Sequence, residues 1–370
     1  MTDHLVVSGL GLTTPFGVGA QRFWDGLWAG ESRLRLAPVA GGTETVCGQV
    51  PLPEDTRPRR SRLLRGALRE ALGGADHPAE PDRTLLVVVG QSPWTVAPNG
   101  DEDALEVAAG WPREDLRRGF ADVVYLSQAC ASVFFGLGYA RDWIRSGLGD
   151  AAIIAGAFTI NRYEYLGMSV VRALSGTGAR PFDDGRDGTS LGEGSTALLV
   201  ETESRARARG VRPLAAITGL ECRIGGHSRT DSDPDTLLAC IEGALGQAGI
   251  DRADYVHAHA TGTPQGDAVE LEVLDRLGTR LGWHGIPAGS HKGAIGHLMH
   301  VSGGAAVAAG LGALRTAIAP GTPGLHTPIE TSAAIDLLAT PRQIPRLRTV
   351  LINSFGFAGN SAAMVLSAMP

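Results

Sequence analysis

The chain has 370 residues, 43% of them hydrophobic and 19% charged, with 51 glycines and a formal net charge of −6. This core-forming composition excludes disorder as the main state, and the length predicts two domains or one duplicated unit. The acidic balance excludes a broadly basic nucleic-acid binder.

In chain order, residues 5–14 read as a buried strand that runs into a turn at Pro15 and Gly17, followed by a helix around residues 23–27. Residues 62–73 have a helical pattern, 84–90 and 123–126 read as strands, and an apolar helix is expected from Ser132 to about Ser146. Strands follow at 151–155 and 197–201, then a polar turn at 205–209. The second half repeats the alternation, with strands at 215–220, 255–259, 349–352 and 363–366 and helices at 236–248, 270–277 and 305–317. Strands alternating with helices twice over predict an α/β fold with buried sheets, one unit duplicated, and no low-complexity linker between the halves.

The first residues carry no basic run and no long apolar core, so a cytoplasmic protein without a signal peptide is expected. The longest uncharged stretch, 293–314, is rich in small residues and too weakly apolar to span a bilayer; it reads as a turn entering a buried helix. Cys47, Cys130, Cys222 and Cys240 lie far apart with no CxxC pair, so each is a free thiol, either a nucleophile or core filler.

Of 33 Lys and Arg residues, Lys292 is the only lysine. In a chain that otherwise uses arginine, a single lysine points to a site that needs a compact ammonium rather than a planar guanidinium. Cys130 sits between a short strand and an apolar helix, at or near a helix N-terminus, where the dipole favours thiolate and backbone N–H groups can bind an oxyanion. His259 ends a strand and His297 opens an apolar helix; neutral imidazoles facing one pocket could donate Nε2–H to a developing enolate. Asp267 and Glu270 are candidates to pair with Lys292. His257 and His259 form an HxH pair with both side chains on one strand face, which leaves a metal site as a minor reading, with no HExxH or CxxC to support it. A GxSxG at 188–192 has the wrong order for a nucleophile elbow, with a polar stretch before it and a strand after it.

Together these residues resemble the β-ketoacyl synthases (ketosynthases) of fatty acid and polyketide biosynthesis. The resemblance rests on Ala129-Cys130-Ala131-Ser132, Arg180-Pro181-Phe182-Asp183, Leu191-Gly192-Glu193-Gly194, His259-Ala260-Thr261-Gly262-Thr263-Pro264, Lys292-Gly293 to His297, and Asn353-Ser354-Phe355-Gly356-Phe357-Ala358-Gly359, in that order. It implies a thiolase-like fold with duplicated αβαβα layers and two mixed sheets, residues 1–205 carrying the nucleophile and 206–370 the histidines and lysine. It implies a decarboxylative Claisen condensation: Cys130 takes an acyl group from a carrier-protein thioester, His259 and His297 stabilise the enolate of a malonyl-type thioester, and Lys292, paired with Glu270, supports them. The resemblance further assigns the oxyanion hole to the Cys130 and Phe357 N–H groups, with Phe357 as a gate and Thr261 and Thr263 lining the pantetheine entrance. No bound cofactor and no metal are expected, since phosphopantetheine arrives on the acyl carrier protein. Partners implied are that carrier and a second subunit, identical or related.

A basic run, Arg57, Arg59, Arg60, Arg62 and Arg65, resembles the region where the family docks its acidic carrier, with a solvated helix end as the alternative. The chain departs from the family by a short stretch between Gly90 and Cys130, where the acyl pocket and dimer interface are usually built, and by Ala260, Ala358 and Ser361. These departures imply a short or unusual acyl group. Transfer of an acyl group from Cys130 without elongation, a non-catalytic chain-length-factor-like subunit and a metal hydrolase are the rival readings.

Overall fold

The computed structural model describes residues 4–39, 43–53, 55, 58–90, 119–225 and 233–370. The stretch of residues 91–118, on which the reading of a shortened acyl pocket depends, and Arg57 lie outside the described residues.

The first half contributes β1 (Leu5–Thr14), β2 (Thr84–Val89), β3 (Asp122–Leu126), β4 (Ala151–Phe158) and β5 (Gly194–Thr202), in the spatial order β1-β5-β4-β2-β3. The second half contributes β6 (Ala215–Ile224), β7 (Tyr255–His257), β8 (Ile286–Gly289), β9 (Ile335–Leu337), β10 (Thr349–Gly356) and β11 (Asn360–Ser367), in the order β6-β11-β10-β7-β8-β9. Apart from the added edge strand β9, the second order repeats the first. In each half the first strand pairs antiparallel with the last, and the second and third strands pair parallel. The two half-sheets are joined where Leu5, Val6 and Val7 of β1 pair antiparallel with Ile217, Ala216 and Ala215 of β6, so they form one continuous sheet rather than two separate ones, with the two-residue strand Gly17–Val18 added against β1 as its twelfth.

β2 (TLLVVV) and β4 (AAIIAGAF) are buried at every position, as strands covered on both faces must be. Helix α1 (Arg59–Ala71) covers the outer face of the first half-sheet and α4 (Pro234–Ala248), with α5 (Pro264–Leu281) beside it, the outer face of the second. Between the half-sheets lie α2 (Ser132–Arg145) and α6 (Ser302–Thr316), each touching strands of both halves. A further helix, α3 (Arg162–Val170), follows β4. The result is the five-layer αβαβα arrangement.

The central layer has room only for small side chains. In α6, every residue from Ser302 to Ala313 is buried, and Gly304 presses so closely on β5 that a Cβ there would stand 2.0 Å from Thr196 Oγ1. This explains the Gly/Ala-rich composition that makes residues 293–314 look only weakly apolar.

Two expected boundaries change. Residues 203–208 form a short helix (Glu203–Ala208) rather than a polar turn, because Thr202 caps it by accepting from the Arg205 N–H and the Arg205 and Arg209 side chains pair with buried Glu201. Helix α5 begins at Pro264, six residues before the expected start, since proline is favoured in a first turn and its apolar face begins only later.

Gly304→Ala tests the packing of the central layer. Helix propensity alone would favour alanine by about 1 kcal/mol, but overpacking costs about 1–3 kcal/mol. A lower urea midpoint with an unchanged m-value is therefore expected, and a raised midpoint would show that the layer has slack.

Candidate active site

The site lies beyond the carboxyl ends of the parallel strands β3, β7, β8 and β10, the end of an α/β sheet where loops diverge and leave a crevice. Cys130 follows β3 by a tight turn. Ala129 adopts a left-handed conformation (φ 48°), and Ser132 holds the turn, its hydroxyl donating to Ala129 O at 2.6 Å and accepting from Gln128 N at 2.8 Å. A left-handed alanine costs about 1–2 kcal/mol, a cost borne here to place the thiol just before α2. Gly356 allows the end of β10 to reach this turn, since a Cβ there would stand 2.8 Å from Cys130 N.

His297 Nε2 lies 2.9 Å from Cys130 Sγ. The His297 backbone is fixed by the GxSxG loop: its N–H donates to Ser190 O at 2.7 Å and its carbonyl accepts from Gly192 N at 3.0 Å. That loop is therefore a scaffold for His297; the Ser190 hydroxyl is buried and accepts from Ala179 N. His259 stands edge-on to His297, with ring centroids 5.4 Å apart, and packs on Phe355 at 4.3 Å. Cys130, His259 and His297 line one cavity of about 470 Å3. Met168 and Met299 form its buried wall, and Thr261, Thr263, Val171 and half-exposed Phe357 also line it.

The loop bearing His259 is held from several sides. Glu270 accepts from His259 N at 2.8 Å, Ala260 N at 2.7 Å and Asn353 Nδ2 at 2.9 Å. Asp267, one turn earlier on α5, accepts from Thr261 N at 2.8 Å, Gly262 N at 3.1 Å and Phe182 N at 2.7 Å. The Lys292 ammonium donates to the His259 carbonyl. The expected pairing of Lys292 with a carboxylate thus takes another form. Both carboxylates bind backbone N–H groups and the ammonium binds a backbone carbonyl, while Glu270 and, more weakly, Asp267 attract Lys292 electrostatically.

Burial dominates the charge states. It holds the His259 and His297 imidazoles well below their usual range, with the Lys292 charge adding to the effect, so both are neutral at pH 7. Burial lowers Lys292 and raises Glu270, and their mutual attraction opposes both shifts. Burial also pushes the Cys130 thiol up to about 12, with Lys292 pulling the other way. The helix position does not make a resting thiolate; the thiol is protonated, and its proton has a neutral acceptor 2.9 Å away.

His257 turns away from His259. β7 ends at His257, so strand alternation no longer governs His259. His257 Nδ1 lies 2.9 Å from Tyr255 Oη and its Nε2 lies 2.8 Å from His291 Nδ1. The HxH pair does not converge on a common point.

Thr261 and Thr263 lie at the cavity with their hydroxyls 3.0 Å apart. The Cys130 and Phe357 N–H groups donate to no acceptor of another residue among the described residues. The arginines of the basic run do not share one surface. Arg59 pairs with Glu193 at 2.5 Å, Arg62 lies 3.8 Å from Asp55, half-buried Arg60 directs its charge to Glu164 and Tyr125, and Arg65 is exposed. Met168 carries no signal in the sequence, and Asn353 and Phe355, quoted there only as part of the closing motif, had no role assigned to them. An asparagine inside the apolar run of β10 was the one available sign, since a buried amide needs partners.

A cysteine at a strand-to-helix turn, two neutral histidines and a buried lysine thus meet at the carboxyl ends of a duplicated, thiolase-like sheet. The β-ketoacyl synthase N-terminal domain matches residues 121–206 and the β-ketoacyl synthase C-terminal domain residues 214–326, together more than half of the chain. The chain belongs to the β-ketoacyl synthase family. It is similar to the tetracenomycin polyketide synthase ketoacyl synthase alpha subunit of Streptomyces glaucescens, with 28% identity over 99% of this chain and 98% of that protein. In fold it is similar to the ishigamide ketosynthase/chain length factor, with a TM-score of 0.84, 24% identity and all of both chains covered. It is also similar to a type II polyketide synthase ketosynthase solved in complex with its acyl-carrier protein, with a TM-score of 0.86, 22% identity and all of both chains covered. No described helix is long and apolar enough to cross a membrane.

The state of Cys130 is testable by alkylation. With a thiol raised to about 12, the rate of iodoacetamide modification, followed on the Cys130 peptide by mass spectrometry, rises continuously from pH 7 to pH 10. A plateau by about pH 8 would mean that a thiolate already prevails.

Proposed function

We propose that the protein is a β-ketoacyl-carrier-protein synthase that carries out decarboxylative Claisen condensation, in polyketide or specialised fatty acid biosynthesis. The observation that carries this reading is the 2.9 Å approach of Cys130 Sγ to a neutral His297, with a second neutral histidine, His259, on the same cavity. A thiol with an adjacent base suffices for acyl transfer; the second imidazole supports a further step.

In the first stage the Cys130 proton passes to His297 Nε2 as the sulfur attacks the acyl-carrier thioester. The tetrahedral oxyanion is held by the Cys130 and Phe357 N–H groups. The carrier thiolate leaves and recovers the proton, so that one thioester replaces another. In the second stage a malonyl-type thioester occupies the cavity with its carbonyl oxygen between His259 and His297. The C–C bond to the carboxylate breaks, carbon dioxide departs, and the electron pair becomes an enolate stabilised by the Nε2–H of His259 and by that of His297 once its ring hydrogen has exchanged from Nδ1 to Nε2 through solvent. That carbon attacks the acyl carbonyl, the C–S bond to Cys130 breaks, and the sulfur takes up one proton from solvent, which balances the carboxylate charge lost with carbon dioxide. Neutral histidines suit this role because they donate without giving the proton away.

Acyl and malonyl-type thioesters are thus the substrates, and the phosphopantetheine arm of an acyl carrier protein delivers them past Thr261 and Thr263, with no resident cofactor or metal. The solved ketosynthase–carrier complex and the ketosynthase/chain length factor pairs among the structural neighbours support a carrier partner and a second, identical or related subunit. The presence of Cys130 beside its base argues for the catalytic rather than the chain-length-factor role.

The test incubates the protein with acyl-carrier and malonyl-carrier and weighs the acyl group on the carrier. Gain of a two-carbon β-keto unit that disappears with Cys130→Ala is expected. Loading of Cys130 without elongation would show an acyltransferase, and no loading at all a non-catalytic subunit. His259→Ala and His297→Ala separate the stages. Both should reduce elongation by about 100-fold or more, the usual scale for a positioned proton donor or acceptor. His297→Ala alone should also slow loading of Cys130.

A further inference from the structure

Helix α3 ends in a tight turn. The Arg172 N–H donates to Ser169 O and the Ala173 N–H to Met168 O, both at 3.0 Å, and Arg172 itself takes a left-handed conformation (φ 54°). This pair of bonds around a left-handed residue is a common helix ending, and glycine is the residue that adopts it without steric cost. The chain follows that rule at its other helices. Gly73 after α1, Gly147 after α2 and Gly249 after α4 have φ of 65°, 73° and 66° and the same pattern of two bonds. At the end of α3 the same backbone carries an arginine, whose Cβ crowds the adjoining carbonyl oxygen. Strain of this kind at the edge of a functional site points to a task for the side chain.

Arg172 stands where such a task exists. It is exposed and lines the Cys130 cavity together with exposed Gln265 and Phe357, whereas Met168, four residues earlier, is buried in the cavity wall. The arginine therefore belongs to the mouth. It makes no ion pair and no side-chain hydrogen bond among the described residues. Because His259 and His297 are neutral, it is also the one charged side chain among the described residues that line this cavity. An unpaired cation at the entrance of a substrate cavity fits an anion that enters with the substrate.

We propose that Arg172 binds the phosphate of the phosphopantetheine arm at the cavity mouth. The inference rests on the reading of the protein as a ketosynthase served by a carrier. A guanidinium presents parallel N–H donors that match the oxygens of a phosphate. The arm bears its phosphate at the end far from the thioester, so the phosphate stays at the mouth while the thioester reaches Cys130. The free carboxylate of a malonyl-type thioester is the other anion that enters, and it is a poor partner. It loses its charge as carbon dioxide departs, so a cation bound to it would stabilise the substrate more than the transition state. Arg172 is a binding residue and takes no part in bond making.

The experiment measures the second-order rate of Cys130 acylation, by intact mass, from one uncharged acyl group carried on pantetheine or on 4′-phosphopantetheine. At low ionic strength the wild-type protein should react about tenfold faster with the phosphorylated donor, the scale of a hydrogen bond to a charged group. That difference should shrink as salt is added. Arg172→Gly should abolish it and yet raise the urea midpoint at an unchanged m-value, because glycine relieves the left-handed turn. Arg172→Lys, a point charge without the planar fork, should keep part of it. Equal rates for the two donors in the wild-type protein would overturn the proposal, as would a preference that survives in Arg172→Gly. A lowered midpoint in Arg172→Gly would show that the arginine serves the fold instead. A defect of Arg172→Gly seen only with intact acyl-carrier protein would assign the arginine to acidic residues of the carrier and overturn the proposal too. If neither donor acylates Cys130 in the wild-type protein, the ketosynthase reading falls and this inference with it.

Discussion

The constraint on which the site depends is the grip on the peptide groups around His259. Glu270 takes the N–H on one side of this residue and Lys292 takes its carbonyl on the other, so a buried anion and a buried cation hold the same backbone segment without touching. Asp267 extends the grip to Thr261 and Gly262. Burying either charge alone would be expensive, and pairing them directly would leave the loop polar groups unsatisfied. Distributing them over backbone groups compensates both costs and immobilises the imidazole. It also explains why a lysine stands here in a chain of arginines: a compact ammonium fits a single carbonyl in a space with no room for a planar fork.

The fold brings the remaining groups to the same point. Cys130, His259 and Lys292 each follow a parallel strand, β3, β7 and β8, of sheets that share one strand order, so their loops open on one side. The tight central layer of α2 and α6 fixes the separation of the two halves, and with it the reach of His297 to Cys130. The low dielectric created by that packing keeps the histidines neutral and the thiol protonated, a state suited to passing one proton during acyl transfer and to donating hydrogen bonds during decarboxylation.

Much of this was legible in the sequence. The fully apolar runs of β2 and β4 and the small-residue helix α6 show clear patterns, and the turn at Cys130 follows from a strand and a helix with only a few residues between them. The bonding of Lys292 was not legible, because proximity of opposite charges in sequence and motif does not say whether they meet directly or through backbone groups. The divergence of His257 and His259 was hidden because β7 ends earlier than its apolar character suggests. Residues 203–208 were misjudged because the six-residue helix Glu-Ser-Arg-Ala-Arg-Ala has no apolar stripe, and the burial of its anchor Glu201 depends on partners not visible in the sequence. Glu164 could not be seen at all. In the sequence it is an ordinary acid in a helix first turn, and only the packing of α3 shows that it faces inward.

The most direct test of the account is the stoichiometry of a single turnover. Protein acylated on Cys130 is mixed with malonyl-carrier labelled in its free carboxylate, and released carbon dioxide, elongated carrier and residual acyl-enzyme are measured together. One carbon dioxide and one β-ketoacyl-carrier for each acyl group lost from Cys130 is the result the proposed condensation predicts. Loss of the acyl group to water or another acceptor with the label still on the malonyl-carrier would contradict it.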